Sequence, residues 1–193
     1  MSPPSNTGLT PEIDALRLEF ERIADEADRQ VAPLSDEQFT WQPSPGRWSI
    51  AHCLDHLNST ARVYLPALDE AISNASKRAM FGRGPYKYNL LGRLSVTLTE
   101  PPPRFKVKAP AAFLPPLDRP RREIVAAFRA YQVQYIDRLR QANGVDLARA
   151  RVRSPAARWL FLPLGSGFEL MAAHERRHLF QVTTITQLPD FPR

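Results

Sequence analysis

The 193-residue chain contains four histidines, and they fall in two places only: His52 with His56, and His174 with His178. Each pair is spaced i, i+4, so on a helix both rings leave one face. A lone histidine is usually structural or solvent-exposed. Two such pairs with no histidine elsewhere point to metal ligation, because i, i+4 imidazoles present two nitrogens to one ion. Residues 174–178 read His-Glu-Arg-Arg-His, the H-E-x-x-H pattern of zinc proteases. That pattern alone is weak. The common zinc proteases need a third ligand downstream, and of the 15 residues after His178 only Asp190 is acidic. The third ligand must come from upstream, which argues against a protease. Glu175 stands as a candidate general base on an activated water. Its place near the middle of the helix's apolar stripe equally suits a buried pair with an arginine.

A helical wheel chooses among the rings. His178 and His174 lie at one edge of the last helix's stripe, roughly 80° and 120° from Phe168. In the second helix His56 lies roughly 120° from the stripe centre and His52 roughly 160°, so His56 borders the interior more easily. His52 also falls three residues after Ser49, the slot where a capping-box glutamate usually sits. The expected ligands are therefore His56, His174 and His178, with His52 a solvated first-turn residue. Three neutral imidazoles leave one coordination position open to water or substrate. Zinc is the first choice of divalent ion, and nickel, iron and copper also accept imidazole.

Four helical segments must position these rings. The first opens with Thr10, Pro11 and Glu12 and carries Ile13, Leu16, Phe20, Ile23, Ala27 and Val31 on one face. The second starts at Ser49 and carries Ile50, Leu54, Leu57, Ala61, Tyr64, Leu65, Leu68 and Ile72. The third starts near Pro120, carries Ile124, Phe128, Tyr131 and Tyr135, and stops at Asn143-Gly144. The last reads as capped by Ser166-Gly167-Phe168-Glu169 and carries Phe168, Met171, Ala172, Leu179, Val182 and Ile185. Leu90 to Leu98 suggests a short helix, and Pro155 to Leu160 a turn of one. The stretch 99–120 is too rich in proline for a helix interior or a central strand. It reads as a long crossover, either packed on the helices or serving as a pocket wall. Four amphipathic helices with almost no strand signal predict an all-α fold, an antiparallel four-helix bundle in one domain spanning 1–193.

Several residues recur in a known pattern. Trp41, the run Pro45-Gly46-Arg47-Trp48-Ser49-Ile50-Ala51 and Leu54-Asp55-His56-Leu57 resemble the second-helix motif of the DinB family. Ala173-His174-Glu175-Arg176-Arg177-His178-Leu179-Phe180-Gln181 resembles its last-helix motif, and Ser154-Pro155 and Pro163-Leu164-Gly165 match between them. The resemblance implies a four-helix bundle with a three-histidine metal site, often in a homodimer. It aligns the same three ligands, His56, His174 and His178. Relatives commonly carry glutamate at the His52 position, so this chain departs there, which leaves open a supporting role for His52. Activities in and around the family include S-transferases that use bacillithiol or mycothiol, and thiol-dependent isomerases.

Composition bounds the rest. Apolar residues make up 43%, a globular proportion. The absence of a long apolar run predicts no membrane span. The opening MSPPSNTGLTPE has neither a basic start nor an apolar stretch, predicting no secretory signal. Cys53 is the only cysteine, which excludes an internal disulfide and fits a cytoplasmic protein. The net charge of +6 is spread along the chain among 20 acids, which suits a solvated face or an anionic small molecule better than nucleic acid. Cys53 itself reads as a small core residue. Trp41, Trp48 and Trp159 read as core or pocket-wall aromatics, and Tyr86, Tyr88 and Phe113 as pocket-lining candidates. The function expected is a metal-dependent enzyme, a low-molecular-weight thiol S-transferase or a hydrolase. The alternative is a non-catalytic stress-related protein with a structural metal.

Overall fold

The computed structural model describes residues 8–102, 109–116 and 119–193. It contains six α-helices among them: α1 (Pro11–Val31), α2 (Asp36–Thr40), α3 (Ile50–Lys77), α4 (Leu90–Thr99), α5 (Arg121–Gln141) and α6 (Leu164–Thr186). A two-stranded antiparallel ribbon, β1 (Arg151–Arg153) with β2 (Phe161–Pro163), precedes α6. The fold is all-α in class. Among the described residues no helix is long and apolar enough to cross a membrane.

The four long helices are those whose apolar stripes the sequence displays, and the stripes are what they bury. All eight stripe residues of α3 and all six of α6 are buried. In α1 only Leu16 stays partly exposed. α3 packs against α5 and α6, and α1 packs against the same two helices. Phe20 of α1 and Tyr135 of α5 stack at 4.8 Å between ring centroids, both fully buried. Cys53 is fully buried in a second apolar cluster with Phe39, Ile50, Leu54 and Val182, as expected of a small core residue.

Local chemistry sets the helix ends. Ser49 Oγ accepts a hydrogen bond from the His52 amide, and His52 Nδ1 accepts one from the Ser49 amide. The histidine thus fills the slot where a capping-box glutamate usually sits. Ser35 and Gln38 make the same box for α2, a five-residue helix too short to register as a period in the sequence. Replacing Ser49 by alanine is expected to cost about 1 kcal/mol. That lowers the thermal midpoint by about 2–4 °C for a domain of this size. An unchanged midpoint in a thermal melt would show that this cap contributes nothing.

Three expectations fail. The last helix is not capped by Ser166. It begins at Leu164 after Pro163, and Ser166 lies fully buried within it. A Cβ on Gly92 would stand 2.5 Å from the Ser166 hydroxyl. The serine therefore marks the close approach of α4 to α6, not a terminus. Residues 155–159 form bends and turns, not a helical turn, and are followed by β2. Trp159 is 80% exposed, so it is neither core nor buried wall.

Candidate metal centre

His56 sits in the second turn of α3, and His174 and His178 sit one turn apart on α6, the helix packed beside it. The three rings meet. Their centroids are 5.1 Å (56–174), 4.7 Å (56–178) and 4.7 Å (174–178) apart. One potential ligand atom from each lies within 4.8 Å of the others. His56 Nε2 is 3.3 Å from His174 Nε2. Two ligands at the usual zinc–nitrogen distance and a tetrahedral angle stand about 3.3–3.4 Å apart, so this pair fits one ion. Trp48, just before the Ser49 cap, lies 4.9 Å from the His56 ring and stacks on His178 at 5.7 Å. Of the three tryptophans, Trp48 is the one that packs on these rings.

The electrostatics favour neutral rings, the state a metal ligand needs. Burial pulls His56 below the usual imidazole range, opposed by its bond to the Phe113 carbonyl. Burial pulls His174 down to about 3, helped by His56 and Arg177. His178 falls well below its ordinary value, again through burial first and then through the other two rings and Arg177. His56 Nδ1 lies 2.6 Å from the Phe113 carbonyl oxygen. A carbonyl can only accept, so Nδ1 carries the hydrogen and Nε2 keeps its lone pair. Nδ1 of His174 and of His178 has no hydrogen-bond partner among the described residues. Nδ1 of each of those rings is thus available as a ligand atom.

His52 stays out of this group, its Nδ1 engaged at 2.6 Å with the Ser49 hydroxyl. Glu175 is 3% exposed and accepts a hydrogen bond from Gln132 of α5 at 3.0 Å. Burial raises its carboxyl to about 8, against the Gln132 bond and the Arg176 charge. Among the described residues no arginine pairs with it: Arg176 binds Glu19 of α1 and Glu100 at the end of α4. Of the aromatics in the irregular segment, Phe113 reaches the site through its backbone. Tyr86 instead donates to the Val145 carbonyl at 3.0 Å. Tyr88 packs on Gly165, where a Cβ would stand 1.9 Å from its hydroxyl. That contact is about 13 Å before His174 along α6. The Phe113 carbonyl was invisible to sequence reasoning, because a backbone acceptor leaves no residue-type signal.

A mostly helical chain in which two packed helices bring three imidazoles together has the form of a helical metal-binding domain. The sequence pattern of the DinB superfamily matches residues 19–182, a span that contains all three histidines, and the chain belongs to that superfamily. No curated protein and no solved structure matches it.

Proposed function

We propose that the protein is a metal-dependent enzyme, with one divalent ion, zinc first, held by His56, His174 and His178. Its reaction is transfer of a low-molecular-weight thiol to an electrophilic small molecule. The carrying observation is the convergence of three neutral rings from α3 and α6. An ion there supplies an open position that lowers the pKa of the thiol occupying it. The chain's own groups do the rest. Trp48 covers two of the rings and limits water. The Phe113 carbonyl fixes the His56 tautomer. The positive charge of Arg177, felt by His174 and His178, favours an anionic thiol carrying carboxylates.

A structural zinc takes four protein ligands, and the cluster offers three among the described residues, which favours the open, catalytic form. The hydrolase variant would use Glu175 as general base. The hydrogen bond of that carboxyl to Gln132 on α5 gives the thiol reaction the better support. The same reading places the site in an antiparallel four-helix bundle, α1, α3, α5 and α6, acting in the cytoplasm as a homodimer and without nucleic acid.

The test uses protein purified without a histidine tag. Bacillithiol, mycothiol and glutathione are offered with a chlorodinitrobenzene, and thioether and released chloride are measured. Conjugation is expected with at least one thiol, lost on chelation and restored by zinc. Conjugation that is indifferent to metal removal, or cleavage of an ester panel in its place, overturns the thiol reading.

A further inference from the structure

One turn of α3 grips the end of the proline-rich crossover. His56 Nδ1 donates to the Phe113 carbonyl at 2.6 Å. Ser59 Oγ donates to the Leu114 carbonyl at 3.3 Å. Asp55 Oδ1 accepts from Arg119 at 2.7 Å. Asn58 Nδ2 donates both to Asp55 Oδ1, at 3.1 Å, and to the Ile124 carbonyl of α5, at 3.0 Å. Asp55, His56, Asn58 and Ser59 are all buried. Pro110, Pro115, Pro116 and Pro120 have no amide hydrogen to give, so a segment built on them depends on ties from other elements.

The pair Asp55–Arg119 differs from a surface bridge. The Asp55 side chain is 2% exposed, and a carboxylate so buried needs its cation. Arg129 and Asp28 make a bridge of similar length, 2.9 Å, with side chains 60% and 35% exposed, where water already screens the charges. Asp55 also precedes His56 in the chain. Arg119 lies six residues after Phe113 in the sequence, so the ties to Asp55 and to His56 hold two points of one short stretch against the same turn of α3.

We propose that Arg119 and Asp55 are positioning residues for His56: their ion pair clamps the crossover onto α3, and the clamped Phe113 carbonyl holds the ring with Nδ1 protonated and Nε2 turned to His174. This rests on the metal reading for its consequence, but the clamp itself is a property of the metal-free chain. Free neutral imidazole populates both tautomers, and only the Nδ1–H form leaves Nε2 able to ligate. Partners that orient a ligating histidine in this way are worth about 10- to 100-fold in metal affinity.

The experiment compares the full chain with Arg119→Ala, Arg119→Lys, Ser59→Ala and, as a control, Arg129→Ala. Histidine-selective ¹⁵N NMR of the metal-free proteins reads the His56 tautomer. Competition with a chromophoric chelator reads zinc affinity. The unsubstituted chain is expected to show a single Nδ1–H tautomer. Arg119→Ala is expected to show a mixture and about 10-fold weaker zinc binding. Arg119→Lys should recover most of both, and Arg129→Ala should change neither. Ser59→Ala, which removes only the Leu114 tie, should shift the tautomer in the same direction by less, and it serves if Arg119→Ala does not fold. A folded Arg119→Ala, or Ser59→Ala in its place, that keeps the single tautomer overturns the clamp. Failure of the unsubstituted chain to bind zinc overturns the metal reading and leaves the tautomer comparison to decide the clamp.

Discussion

Replacing any one of His56, His174 and His178 by alanine is expected to weaken zinc binding by about 100- to 1,000-fold. Zinc held by four protein ligands is bound with about 10–16 kcal/mol, or roughly 2.5–4 kcal/mol per ligand, and each 1.4 kcal/mol is tenfold. The three rings are the groups that meet, so each loss should count fully and with similar size. His52→Ala is the internal control. Its ring is spent on the Ser49 cap, so it should cost stability and leave affinity within about threefold. Chelator competition on the four variants checks both. A loss at His52 equal to that at His56 would mean that the second-helix ligand has been assigned to the wrong ring.

The largest stability effect should come from Phe20→Ala. Phe20 is fully buried and stacks on Tyr135 where α1 meets α5. Truncating a buried phenylalanine costs about 3–5 kcal/mol through lost transfer energy and the cavity left behind. The stacked geometry puts it at the upper end. A loss of about 4 kcal/mol lowers the thermal midpoint of a domain this size by roughly 8–16 °C. Phe180→Ala, at a ring 44% exposed, should stay within about 0.5 kcal/mol. Because α1 contributes none of the three histidines, Phe20→Ala should still bind one equivalent of zinc below its melting point. Comparable midpoints for the two variants would contradict the packing described.

The framework was readable in the sequence because long apolar periods leave a redundant signal. The α3 stripe repeats over six turns, and no single residue decides it. The wheel made the cluster readable as well: it put His56, not His52, at the border of the interior, and His56 is the ring that meets His174 and His178. Shorter features carry no such repetition. The three-residue strands β1 and β2 and the five-residue α2 cannot show a period. Ser166 illustrates a signal with two meanings. A small polar residue suits a helix N-terminus, but it equally suits a point where another helix comes close, and Gly92 of α4 is what it meets. Glu175, near the middle of the α6 stripe, suits a general base and a buried arginine pair equally, and in the structure Gln132 satisfies one of its oxygens. Trp159 shows that a large aromatic is not by itself evidence of burial. The backbone carbonyl on His56 was not readable at all, since it depends on where a proline-rich crossover is tied down.

The proposed function requires one ion among imidazoles contributed by α3 and α6. Anomalous diffraction at the zinc edge, on crystals of untagged protein loaded with one equivalent of zinc, tests it most directly. A single strong peak is expected about 2.0–2.1 Å from one nitrogen each of His56, His174 and His178. A peak at other residues, or none between these rings at full zinc loading, would contradict it.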